Sequence, residues 1–165
     1  MPDYKKAKEK AEEVIAHHSI TEPVVPVFDL ADKLGYKIKF FPSEGELAQV
    51  AGITDPKSNT IFVNKEDPIY RQSFTVAHEL GHIILEHDPN QYGVFLRNTH
   101  VETTDEEKEA NAFASYLLMP DALLKQTMDK YHLSEKDTEL LAGIFGVSPE
   151  AMRFRLLRYK KPWGI

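Results

Sequence analysis

One stretch constrains this chain more than any other: 67-DPIYRQSFTVAHELGHIILEH-87. Asp67 followed by Pro68 reads as the cap and first residue of a helix that runs to about His87. At 100° per residue, Arg71, Gln72, Thr75, His78, Glu79, His82 and Glu86 fall in one stripe, while Phe74, Val76, Ala77, Leu80, Gly81, Ile83, Ile84 and Leu85 fill the rest. So apolar a helix belongs inside a packed domain, with its single polar strip turned to solvent or to a cleft. Gly81 costs about 1 kcal/mol against alanine in a helix interior, which predicts that another backbone packs close to it.

The segments on either side predict an α+β fold. Residues 3–18 and 24–34 read as helices, the second stopped by Gly35. Short β-rich runs follow at 36–41, 49–54 and 60–64, and the turn chemistry of 55-DPKSN-59 predicts a hairpin within a small antiparallel sheet. After the 67–87 helix, 88–104 reads as a long loop, and Thr104 with Glu107 forms a capping box opening a helix that ends near Pro120. Beyond it only helices are expected, at 121–131, 135–145 and 148–160.

Composition narrows the chemistry. The 165 residues include no cysteine, which removes disulfides, thiolate metal sites and thiol nucleophiles and leaves His, Asp and Glu as strong metal ligands. No apolar run approaches the roughly 20 residues of a membrane span, so a soluble, cytoplasmic protein is expected. The net charge is -6, yet Arg153, Arg155, Arg158, Lys160 and Lys161 crowd into a C-terminal stretch free of acids. An acidic body repels phosphate backbones, so any nucleic-acid contact would fall to that tail.

The polar strip holds His78-Glu79-Leu80-Gly81-His82, the H-E-x-x-H pattern. Two histidines four apart on a helix stand one turn along and about 40° around, so both rings can reach one cation. A hydrolytic zinc asks for a third protein ligand and an open position. The acidic helix 102-ETTDEEKEANAFASYLLMP-120 is the natural source. Its apolar face centres on Ala110, Phe113 and Leu117; Glu106 and Glu109 lie on or beside that face and Glu107 points away, so spacing alone leaves Glu106 and Glu109 both open. The Glu79 carboxylate would act as general base on water, returning the proton to the leaving amine. Tyr92 and His100 are candidates for stabilising the oxyanion, Asn64 and Asn111 for orienting the imidazoles, and the 60–64 strand for pairing with an extended peptide.

The run 71-RQSFTVAHELGHIILEH-87 followed by 109-EANAFASYLLMP-120 resembles the ImmA/IrrE family of zinc metallopeptidases, with looser similarity in IFVN before it and GVSPEAM after it. The resemblance implies a zincin-like peptidase domain over residues 1–120 that holds one zinc ion per chain. It implies His78, His82 and Glu109 as ligands, Glu109 being the first residue of EANAFA, and Glu79 as the catalytic residue. It further implies a cytoplasmic endopeptidase whose protein substrate is a helix-turn-helix repressor controlling mobile elements, prophages or stress responses.

Residues 121–165 form a helical, helix-turn-helix-like subdomain in this reading, from the spacing of Ala142, Gly146, Ser148 and Met152, although Arg155 falls where such a unit usually has a core aliphatic residue. Two rival functions follow: a DNA-binding regulator, or a repressor-binding module with a non-catalytic metal site. Manganese also accepts nitrogen and oxygen ligands, and only the order of affinities favours zinc.

Overall fold

The computed structural model describes residues 1–88, 94–96 and 104–160. Helix α1 (Tyr4–His17) is capped by the Asp3 side chain, which accepts from the Lys6 N–H, and α2 (Val27–Lys33) leads through the left-handed Gly35 into the sheet. Strands β1 (Lys37–Phe41), β2 (Val50–Asp55) and β3 (Thr60–Asn64) follow, with a 3₁₀ turn over Gly45–Gln49 between the first two. The active helix of the sequence reading is α3 (Ile69–Ile84); β4 (Val94–Leu96) precedes α4 (Asp105–Leu118), α5 (Asp121–Tyr131), α6 (Thr138–Phe145) and α7 (Pro149–Lys160).

The α+β class expected from the sequence is what the chain adopts, and the 55–59 hairpin joins β2 to β3 with Asn59 in the left-handed region. One pairing differs. The order across the sheet is β1-β3-β2-β4, and β1 runs parallel to β3 while the other pairs are antiparallel. The β1–β2 connection is eight residues with its own 3₁₀ turn, not a tight hairpin, so β2 reaches the far side of β3. Strand β3 is therefore central, and the expected pairing of a peptide with the 60–64 strand has no free edge to use; the edges belong to β1 and β4.

Helix α3 opens one residue later than expected, with Pro68 at the cap position, and ends before Glu86, whose φ of 60° breaks it. Thr104 caps α4 as predicted, its hydroxyl accepting the Glu107 N–H. The core is continuous: Ala7 and Ala11 of α1, Ile61 and Val63 of β3, Val76 and Leu80 of α3, Phe113 and Leu117 of α4, and Leu141, Met152 and Leu156 of α6 and α7 belong to one packed cluster. The backbone approach inferred at Gly81 is present. A Cβ there would stand 3.1 Å from the Cα and carbonyl oxygen of Ala110, so this glycine lets α3 and α4 pack close enough for their side chains to share a site.

Candidate metal centre

The middle of the polar strip of α3 is buried, while Arg71 and Glu86 at its ends are exposed. His78, Glu79 and His82 are each about 1% exposed, covered by β2 on one side and α4 on the other. The two imidazoles stand edge to face with centroids 4.7 Å apart, and their Nε2 atoms are separated by 3.1 Å. Facing both is Glu107, with Oε2 3.3 Å from His78 Nε2 and Oε1 3.1 Å from His82 Nε2. His78, His82 and Glu107 each bring a ligand atom within 4.8 Å of the others, a possible metal site.

The acid brought to the histidines is thus Glu107, where the sequence reading had Glu109 as the third ligand and Glu107 pointing away. The reason is helical phase. α4 packs on both α1 and α3, so it has two inward faces. Ala110, Phe113 and Leu117 define the core arc, whereas Glu107, Asn111 and Ser115, spaced by four, form the row turned toward the α3 histidines and the cleft beside them. Glu109 lies round the helix from that row. Its Oε2 is 3.0 Å from His87 Nε2 and its Oε1 accepts the Asp3 N–H at 2.6 Å. Glu106, the other candidate, is not among the converging groups.

The residues fit a divalent cation. Asn111 Oδ1, which can only accept, lies 3.0 Å from His78 Nδ1, so that nitrogen carries a ring proton and Nε2 is the nitrogen facing the shared space. Burial pushes the His82 ring down to about 4, against the pull of Glu107, so that ring is neutral at physiological pH. Burial disfavours the Glu107 carboxylate, yet the contacts of His78 and His82 outweigh it and hold the group well below the usual range. Two imidazole nitrogens and one carboxylate are the donor set of a catalytic zinc with a position left open. Of the expected orienting residues, Asn111 meets His78, while Asn64 is spent on the fold, donating to the Val50 carbonyl and accepting the Glu66 N–H. Tyr92 and His100 lie outside the described residues.

Glu79, beside His78 on α3, meets β2. The Thr54 hydroxyl donates to its Oε2, and Gly52 passes so close that a Cβ there would collide with the Thr75 side chain and lie 3.7 Å from Glu79 Oε1. Burial pushes the Glu79 carboxyl up, opposed by His78 and by the Thr54 bond. Thr54 and Gly52 were not legible beforehand, because only the register of the hairpin brings them under the helix. Beside the site opens a cavity of about 350 Å³, walled by Phe74 of α3, Asn111 and Ser115 of α4, and Ala151, Phe154 and Arg158 of α7.

A family model described as the IrrE N-terminal-like domain, of the peptidase M78 type, matches residues 31–157. The radiation response metalloprotease IrrE of Deinococcus radiodurans is 31% identical over 103 residues, 59% of this chain and 29% of that protein. The metallopeptidase ImmA of Bacillus subtilis is 25% identical over 151 residues, covering 90% of this chain and 83% of ImmA. The IrrE of Deinococcus deserti is 26% identical over 163 residues, 94% of this chain and 55% of its own length. The chain thus spans 29% and 55% of the two IrrE proteins and most of ImmA. Among solved structures, a Mycobacterium tuberculosis transcriptional regulator superposes with a TM-score of 0.63 at 17% identity, over 90% of this chain and 45% of that one, a likeness of fold.

Proposed function

Because the chain belongs to the peptidase M78 family of IrrE N-terminal-like domains, a metallopeptidase family, we propose that it is a zinc-dependent endopeptidase in which His78, His82 and Glu107 hold the ion and Glu79 is the general base. The observation that carries this reading is the convergence of two imidazole nitrogens and a carboxylate beside a buried glutamate of the α3 helix. Zinc, when bound, supplies a Lewis acid for the scissile carbonyl and acidifies a water. The chain does the rest. Desolvation raises the proton affinity of the Glu79 carboxylate toward the working pH, as a base needs if it is to accept a proton from water and pass it to the leaving amine. Thr54 holds Oε2, which fixes the plane of the carboxylate. Asn111 keeps His78 in one tautomer.

The substrate in this reading is a helix-turn-helix repressor in the cytoplasm, which rests on the ImmA/IrrE resemblance of residues 71–87 and 109–120. The cavity beside the site accepts one of its apolar side chains, and since α7 forms a wall of it, the 121–165 subdomain acts in substrate recognition. That use of the tail is better supported than DNA contact, because Arg155 is 1% exposed and occupied with the Met119 carbonyl and Asp121.

The test is Glu79→Gln in the zinc-loaded protein, assayed against a panel of helix-turn-helix repressors with unrelated folded proteins as controls. The variant should retain its metal and lose about 10³-fold in cleavage rate. Undiminished cleavage would remove Glu79 from its role, and a wild-type protein that cuts only the controls would remove the repressor as substrate.

A further inference from the structure

His87 and Glu109 play no part in the chemistry described so far, yet both lie against it. His87 Nδ1 is 2.9 Å from His82 Nδ1, the ring nitrogen of His82 turned away from Glu107, and His87 Nε2 is 3.0 Å from Glu109 Oε2. Glu109 is in turn held by the Asp3 backbone N–H at 2.6 Å. The rings of His82 and His87 meet edge to face at 5.0 Å, and His87 is 8% exposed.

With His87 neutral, one proton arrangement satisfies both of its links. The Glu109 carboxylate can only accept, so His87 Nε2 carries the hydrogen. A neutral His87 then has a bare Nδ1, which can only accept from His82. His82 must therefore be protonated on Nδ1, leaving Nε2 as the lone pair that faces Glu107 and the His78 ring. We propose that Glu109 and His87 form a two-residue positioning relay that fixes the tautomer and orientation of His82 as a metal ligand. Histidine ligands commonly donate their second N–H to a carboxylate or carbonyl. Here a second histidine is interposed between ligand and carboxylate, and the relay parallels the direct Asn111 contact on His78.

The geometry of the helix end explains how the extra ring gets there. Glu86 adopts a left-handed conformation at φ 60°, and the His87 N–H returns to the His82 carbonyl at 3.0 Å, which folds His87 back under the ring it supports. On this account the acid that opens the EANAFA run belongs to the site as a support for a ligand.

The relay rests on the assignment of His82, with Glu107, as metal ligands, so the experiment separates the two. Zinc affinity is measured by competition with a chelator for wild type, Glu107→Ala, Glu109→Leu, His87→Leu and His87→Gln, with the fold of each metal-free variant checked by circular dichroism. His87→Leu and Glu109→Leu should each weaken zinc 10–100-fold, whereas His87→Gln, whose amide oxygen can still accept from His82, should recover much of the loss. Proton–nitrogen correlation spectra of the zinc-loaded wild type should show His82 protonated on Nδ1 and His87 on Nε2, a signature that loss of packing alone would not move. Unchanged affinity in both leucine variants, or the opposite tautomers, overturns the relay while leaving the ligands standing. Failure of the wild type to bind zinc, or loss of the ion in Glu109→Leu with retention in Glu107→Ala, overturns the ligand assignment itself.

Discussion

Two clusters of buried ionisable groups among the described residues are balanced differently. Around α3, two imidazoles and the Glu107 carboxylate converge, and the donor set calls for a cation from outside. Where α4 meets α5 and α7, the cations belong to the chain. The Arg155 guanidinium, 1% exposed, reaches the Met119 carbonyl at 3.0 Å and pairs with Asp121, lying 4.5 Å over the Tyr116 ring, while Lys8 of α1 pairs with the same Asp121 at 2.6 Å. Lys8 and Arg155 outweigh burial and hold the Asp121 carboxyl below its ordinary value. A cluster that completes its own charge is structural; one that collects lone pairs around a gap is a receptor.

Three measurements would break or sharpen that contrast. The largest effect is expected from zinc itself. At a free concentration a thousand times its dissociation constant, it should stabilise the fold by about 4 kcal/mol, read as a rise in Tm that Glu107→Ala abolishes and changes at Asp121 do not. An equal rise in Glu107→Ala would mean that the two clusters do not differ as described.

Next, Asp121→Ala leaves Arg155 buried without its carboxylate and should cost roughly 3 kcal/mol in urea unfolding, with zinc affinity little changed. The milder Asp121→Asn adds a pH dependence. Because the folded carboxyl binds its proton less readily than the unfolded one, its contribution is present above the ordinary value of 3.8 and fades as the pH falls through the lower folded value. The stability gap between wild type and Asp121→Asn should therefore narrow on acidification below about pH 4. A gap constant with pH would mean that the charge of Asp121 adds nothing.

The smallest stability change joins the two regions. Gly81→Ala presses a methyl onto the Ala110 backbone and should cost about 1–3 kcal/mol, weakening zinc as well because the pressed helix carries Glu107. Destabilisation with unaltered zinc affinity would show that the close approach serves packing only.

Features set by short-range rules could be read from the sequence. The two histidines of α3 share a face because helices repeat every 3.6 residues, Thr104 caps α4 because its side chain matches the first free N–H groups, and Gly81 announced a neighbouring backbone through its cost. What escaped depended on which neighbour a face meets. An apolar arc through Ala110 and Phe113 marks the core side of α4, and a row of polar residues at Glu107, Asn111 and Ser115 was the available sign of a second contact face. The parallel β1–β3 pair depends on the path of an irregular connection, and His87 on a left-handed glutamate, a residue type that gives no warning of that conformation.

The grip of Arg155 on Met119 has a mechanical meaning. Met119 follows the last turn of α4, the helix that presents Glu107 and Asn111, and Arg155 sits in the middle of α7, whose Phe154 and Arg158 line the opposite wall of the cleft. Floor and wall are thus riveted at a dry joint, and the jaw is preset to its working width when the chain folds. On the proposed function, a substrate side chain entering it would meet walls already tied together, and selection by size would come before any closing motion.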